Sequence, residues 1–468
     1  MLIIRCDASY PEERAYIYDV IFREFWGISY RVAIEDRTDI VIACSQDAEK
    51  EIRLADVFFQ TPATQWMTDL SLPMQPLEQW EIMQPEIAEL VVDDTLPVIF
   101  GYRLRHDGYV MESKEKIQLG IDVFGAAFLM LTRYEEVVRQ DYDEHHRFAA
   151  KSSLAFQEGF LARPIINEYL EILWWCIKKI WPTLQRKNRR FKMVATHDVD
   201  FPFSYAFRTL AQTGRSIVAD VLKRQDPGMA IRRLARTYQV RKGNYLADEN
   251  YTFDTIMDIS EANEIKSCFY FMTSHSHASY DTFYPLNHPL MQALMKRISE
   301  RGHEIGLHPS YESFQDGTQI KKECAYLKQA CAGVGIELGR IGGRQHYLRW
   351  SPDTWQHYED AGLAYDTSVS YADHIGFRCG ICFEYPVFNL KKRRMLALRE
   401  RPLLVMECSA LDKQYMGLSC AQAKYEMSKL KETVRKYNGD FVLLWHNDRL
   451  SIKTQLAVYK SLFDNEVL

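Results

Sequence analysis

The chain has 468 residues, 47% of them hydrophobic, and a net charge of -5. That length predicts two or three domains, and that apolar share excludes a disordered chain. The mild negative charge gives no general affinity for polyanions, so no nucleic-acid partner is expected.

The start, MLIIRCDASYPEER, lacks a basic head before an apolar block, so no secretory signal is expected. No apolar run approaches the roughly 18 residues of a membrane span, and no transmembrane segment is predicted. Ten cysteines are scattered through apolar runs such as VIACS, WWCIKK and LVMECS. They read as small buried hydrophobes in a reducing compartment, which predicts a cytoplasmic protein. The single CxxC, Cys379-Gly-Ile-Cys382, has no second pair. It reads as two core or loop thiols rather than a redox pair or half a zinc site.

Residues 1–185 mix strand-like pieces (MLIIRC, DIVIAC, LPVIFGY) with helical ones, predicting a separate α/β N-terminal domain. The run from Asp122 through Tyr134 reads as a buried helix. Residues 165–181 keep apolar side chains at helical spacing until Pro182 stops them. No chemical constellation occurs in this part. The charged stretch from Gln185 to Arg190 reads as a linker, with a nucleic-acid patch as the weaker meaning.

Over 190–468 strand candidates alternate with helices: FKMVAT, SCFYFMT, HEIGLH, RIGGR, AYDTSV, PLLVMEC and DFVLLWH. The alternation predicts a mostly parallel sheet, here a distorted seven-stranded (β/α) barrel. Polar clusters fall where such barrels keep their chemistry, at the C-terminal ends of strands. Residues 206–242 form a helical insertion with nine Lys or Arg and two Asp, just after the first barrel strand. It reads as a solvated surface, or as a cover suited to an anionic glycan or nucleotide-linked substrate.

The first cluster is His197-Asp198-Val199-Asp200. Alternation along a strand puts Asp198 and Asp200 on one face and His197 on the other. Two carboxylates aimed at one spot call for a cation between them or a proton on one. They fit a metal ligand plus a general base, or an Asp-rich turn before Pro202. The second cluster is Gly302-His-Glu-Ile-Gly-Leu-His308-Pro-Ser-Tyr-Glu312. His308 ends the strand and is the candidate ligand, and Glu312 joins it if a helical turn follows. His303, at the strand's start, reads as structural. His275 and His277 close another strand and are alternative ligands.

Gly342-Gly343 precede Arg344, which can grip a carboxylate with two hydrogen bonds, and Tyr347 follows. His446 ends an apolar strand, and its ordinary pKa of about 6.5 suits acid–base work, with Asp448 two residues on as a partner. The run Gly333-Val-Gly335-Ile-Glu-Leu-Gly339 follows a helix, so it is not read as a dinucleotide loop.

Taken in order, these motifs over residues 190–450 resemble the polysaccharide deacetylases with the NodB homology domain, carbohydrate esterase family four. Thr196-His-Asp198-Val-Asp200 is similar to that family's T-F-D-D motif. Gly302 to His308 is similar to its G-H-E-I-G-x-H, Arg344 to Tyr347 to its Arg-aromatic motif, and Leu443 to His446 to its L-x-x-H. The resemblance implies a divalent metal, zinc by default, on Asp200 and His308. It implies Asp198 as base, Arg344 as its orienter, a backbone N–H near Tyr347 for the oxyanion and His446 as acid. The family's next histidine falls on Glu312. Either Glu312 replaces it, His275 or His277 supplies the ligand, or the metal site is degraded. The proline usual in the third motif is absent, and Tyr365-Asp-Thr-Ser368 resembles a structural Y-D-S-S stretch of related barrels.

The implied reaction is hydrolysis of an N-acetyl or related acyl group on a saccharide or nucleotide sugar. The alternatives are another C–N amide hydrolase, such as one opening a cyclic amide or ureide, and an inactive glycan-binding protein. The first 185 residues look like the extra domain carried by some uncharacterised bacterial deacetylase-like proteins.

Overall fold

The computed structural model describes residues 1–45, 47–105 and 108–464. Its first sheet uses β1 (Leu2–Cys6), β2 (Tyr30–Ile34), β3 (Asp39–Cys44) and β4 (Asp47–Ala55). A small hairpin, β5 (Glu78–Glu81) and β6 (Thr95–Val98), stands apart, and β7 (Val110–Glu112) and β8 (Lys116–Leu119) complete the first sheet. The sheet order is β2-β1-β3-β4-β8-β7. Two buried helices pack with it. Val123–Leu131 is capped by Asp122, whose carboxylate accepts from the Gly125 N–H at 2.7 Å. Ile165–Ile180 ends before Pro182, which cannot continue a helix.

The second sheet holds the site. Its strands are β9 (Lys192–Val199), β10 (Cys268–Met272), β11 (Glu304–His308), β12 (Gly342–Gly343), β13 (Tyr365–Asp366), β14 (Tyr385–Asn389), β15 (Arg394–Glu400), β16 (Val405–Met406) and β17 (Asp440–Leu444). Their order is β14-β15-β13-β12-β11-β10-β9-β17-β16, parallel throughout except for the β14–β15 hairpin. All seven forecast segments contribute strands. The hairpin raises the total to nine, and it lies outside the strand–helix alternation from which seven were counted. No ladder joins β14 to β16 among the described residues, so the barrel-like sheet is open.

Gly342 and Gly343 make up β12, where their missing side chains clear space. A Cβ on Gly342 would lie 2.0 Å from the Tyr365 ring, and one on Gly343 2.6 Å from the Tyr358 ring.

The two sheets do not keep separate interiors. One continuous apolar core runs from Leu2 to Phe463. Polar ties cross it as well. The buried Glu136 carboxylate takes Arg133 at 2.8 Å and Arg378 at 2.9 Å, and Arg133 also donates to the Arg378 carbonyl. Tyr385 donates to the Leu131 carbonyl at 2.8 Å, and Asn167 accepts from the Cys382 N–H at 3.0 Å. Cys379 and Cys382 are both buried thiols, and Cys382 meets Asn167 of the 165–180 helix. Glu136→Leu leaves two buried guanidinium groups short of a counter-charge. It should cost about 3–5 kcal/mol of unfolding free energy, readable in a urea titration.

Candidate active site

Every polar cluster named above ends up at one rim of the second sheet, because parallel strands deliver their C-terminal ends to the same side. Asp198 and Asp200 leave β9 on one face. His197 leaves on the other and is buried, its Nδ1 2.8 Å from the Trp445 carbonyl. Burial pushes the His197 pKa down to about 3, so it is a neutral structural group.

Asp200 stands among three imidazoles. Its Oδ1 lies 3.3 Å from His308 Nε2, and its Oδ2 lies 3.7 Å from both His346 Nε2 and His446 Nε2. Burial alone would raise the Asp200 pKa, but His346, His308 and His446 hold it well below the carboxylate range. The ligand atoms of Asp200, His308 and His346 lie within 4.8 Å of one another. His308 donates its Nδ1 proton to the Arg344 carbonyl (2.6 Å), which turns the Nε2 lone pair inward. His308 Nε2 and Asp200 Oδ1 are buried with no hydrogen-bond partner among the described residues. Orphaned acceptors of this kind, backed by fixed tautomers, fit a cation.

Glu312 does not belong to this group. It is exposed on a 3-10 turn (Tyr311–Gln315) and faces Arg349 at 3.6 Å, because the chain after His308 does not enter the helical turn that would bring position 312 back. His275 and His277 are not in the triad either. His277 stacks on Tyr280 with ring centroids 4.3 Å apart, and His275 packs on Phe283 at 6.3 Å. The third ligand comes instead from His346, inside the Arg344–Tyr347 motif. Asp281 fixes it, accepting from Nδ1 at 2.9 Å. Burial lowers the His346 pKa, but Asp200 and Asp281 outweigh it and bring it to about 9.

Two consecutive left-handed residues, Tyr347 (φ 61°) and Leu348 (φ 53°), follow His346. Such non-glycine conformations persist only where surroundings hold them. Here the N-terminal half does so. Arg147, paired with Asp143 at 2.7 Å, donates to the Tyr347 carbonyl at 3.1 Å. Arg349 donates to the His145 carbonyl at 2.9 Å and lies 3.8 Å from the Tyr311 ring centre. Tyr347 lines the site, and its N–H has no partner among the described residues.

Arg344 is fully buried and gives one Nη1 to both Asp198 Oδ1 (3.0 Å) and Thr196 Oγ1 (2.8 Å). Its other nitrogens are taken by the carbonyl and hydroxyl of Thr367, which explains the Tyr365–Ser368 stretch as a support. Asp198 Oδ2 is 3.8 Å from His308 Nε2. Opposite, His446 Nδ1 meets Glu407 Oε1 at 2.6 Å. Glu407, not Asp448, is therefore the partner that orients it. Asp448 begins the 3-10 turn Asp448–Ser451. Burial lowers the His446 pKa, but the buried Glu407 carboxylate outweighs this and holds it well above 6.5. The cavity over these groups has about 260 Å³ and is bordered by Arg147, Tyr347, Met406, Tyr415 and Arg449 as well.

The geometry defines an α/β protein whose open parallel sheet carries a carboxylate–histidine centre at its C-terminal rim. Residues 2–182 match a family model described as a family of unknown function, DUF7033. No curated protein matches. Solved structures resemble the chain at low identity. A protein from Mycobacterium smegmatis named as a polysaccharide deacetylase is 15% identical, with a TM-score of 0.38, over 59% of this chain and 83% of its own. One from Pseudomonas aeruginosa PAO1, also named a polysaccharide deacetylase, is 10% identical at TM-score 0.35, covering 59% and 84%. Puue allantoinase is 12% identical at TM-score 0.34, covering 58% and 83%. Superpositions this loose define no shared site, so the chemistry rests on this chain's own residues.

Proposed function

We propose that the protein is a metal-dependent hydrolase that removes an N-acyl group, such as acetyl, from a saccharide. One observation carries the reading. Asp200, His308 and His346 converge on a point flanked by an Arg-held carboxylate, Asp198, and a Glu-held imidazole, His446. One carboxylate and two imidazoles make a donor set suited to zinc or a neighbouring first-row ion. An ion held there supplies an acidified water and polarises the acyl oxygen. Asp198, fixed by Arg344, takes the proton from the attacking water. The Tyr347 N–H donates to the oxygen on which negative charge develops. His446, kept protonated by Glu407, gives its proton to the leaving nitrogen. The inactive-binder alternative drew on the histidine missing at position 312, and His346 supplies a third donor without it.

Elemental analysis of the purified protein, followed by acetate release from N-acetylated saccharides and nucleotide sugars, tests the proposal. One equivalent of divalent metal and metal-dependent acetate release are expected. A zinc-reconstituted protein that releases acetate from none of these substrates overturns it. Glu407→Gln removes the charge that raises the His446 pKa. The alkaline limb of the rate profile should then move to lower pH, since the acid form of His446 is lost sooner as pH rises.

A further inference from the structure

Six residues beyond Asp200 the chain leaves the rim for the 206–242 insertion. It folds as two antiparallel helices, Leu210–Leu222 and Pro227–Arg241, and Asp248–Thr252 then brings the chain back. Thr252 closes the excursion by donating to the Asn447 carbonyl at 2.7 Å. The helices hold each other through Asp220, buried between them and paired with Arg233 at 2.6 Å.

The charge is one-sided. Nine Lys or Arg stand against two Asp, and both Asp are used internally. Asp220 takes Arg224 and Arg233, and Asp226 caps the second helix and takes Arg232. Arg208, Arg215, Lys223, Arg241 and Lys242 have no carboxylate partner among the described residues. The same helices turn apolar side chains to solvent. Ile231, Leu234 and Tyr238 form one stripe at i, i+3, i+7 and are 68%, 52% and 65% exposed. On the first helix Leu210 and Leu222 are 73% and 74% exposed. Phe201, also exposed, lines the cavity of the site and shortly precedes the hairpin in the chain.

We propose that the 206–242 hairpin seats the protein on an anionic lipid surface, with the mouth of the site held at the bilayer. Free cations beside an apolar helical stripe match the two halves of an anionic interface, headgroup charge and acyl boundary. A nucleic acid would use the cations and leave the aliphatic stripe unmatched. Neither helix has the ~20 residues needed to span a bilayer, so the hairpin lies on the surface. The inference goes beyond the hydrolase reading and does not depend on it.

Sedimentation of the full chain with phosphatidylcholine vesicles, with and without phosphatidylglycerol, tests it. Binding should be at least about tenfold stronger to the anionic vesicles and should weaken as salt is raised. I231S/L234S/Y238S and, separately, R215Q/K223Q/K242Q should each lose about tenfold or more while melting as the parent does, because these side chains are exposed. Equal binding to both vesicle types, or unchanged binding by both variants, overturns the proposal. So does a concentration-dependent dimer that the apolar variant abolishes, which would give the stripe to a second copy. Nucleic-acid binding indifferent to the apolar variant, without vesicle binding, overturns it too.

Discussion

Replacing His346 with Ala should weaken zinc binding by more than about 100-fold, whereas Glu312→Ala should leave it unchanged. Losing only a group that supports a ligand commonly costs 10–100-fold, and loss of a ligand costs more. The contrast is sharp because His346 takes the ligand place that spacing gave to Glu312. His346 is buried, 3.7 Å from Asp200, with its tautomer fixed by Asp281. Glu312 is exposed and turned to Arg349. Competition titration with a chromogenic chelator reads both variants. The pH dependence has a definite sign. Free His346 loses its proton at about 9, so an ion must displace that proton at neutral pH. Affinity should climb by up to about tenfold per unit as pH rises towards 9, with close to one proton released per ion at pH 7. Flat affinity between pH 6 and 9 would remove His346 from the ligand set.

Asp198→Asn should lower kcat by about 10²–10⁴-fold with metal content intact. Asp198 is buried, lies 3.8 Å from His308 Nε2 and accepts from Arg344. An amide there keeps the shape but cannot take a proton from water. Stoichiometric metal by elemental analysis, alongside the rate on the best saccharide found, separates loss of the base from loss of the ion. Full activity in this variant would refute the base assignment.

The same Arg344 shows how local sequence and distant structure share the site. Its carboxylate partner was legible through the family resemblance, which implied that Arg344 orients Asp198. Its supports, Thr196 and Thr367, lie 148 and 23 residues away, and nothing in the local pattern joins them.

What the sequence determined by itself is whatever depends on period and order. Alternation put Asp198 and Asp200 on one face. Apolar runs marked the strands, and polar residues just past them marked the rim. The tertiary structure decided what depends on long-range packing. His346 enters the centre because two left-handed residues turn the chain, and they are held by Arg147 and Arg349 in contact with residues 143–147 of the N-terminal half. Glu407 hides in a run, LVMECS, that reads as plain core, yet its carboxylate reaches His446 across the rim. The N-terminal half reads as separate because its strands and helices are locally complete, but its apolar residues share one core with those of the second sheet. Side-chain period is a property of neighbours in the chain, whereas a ligand set is a property of neighbours in space.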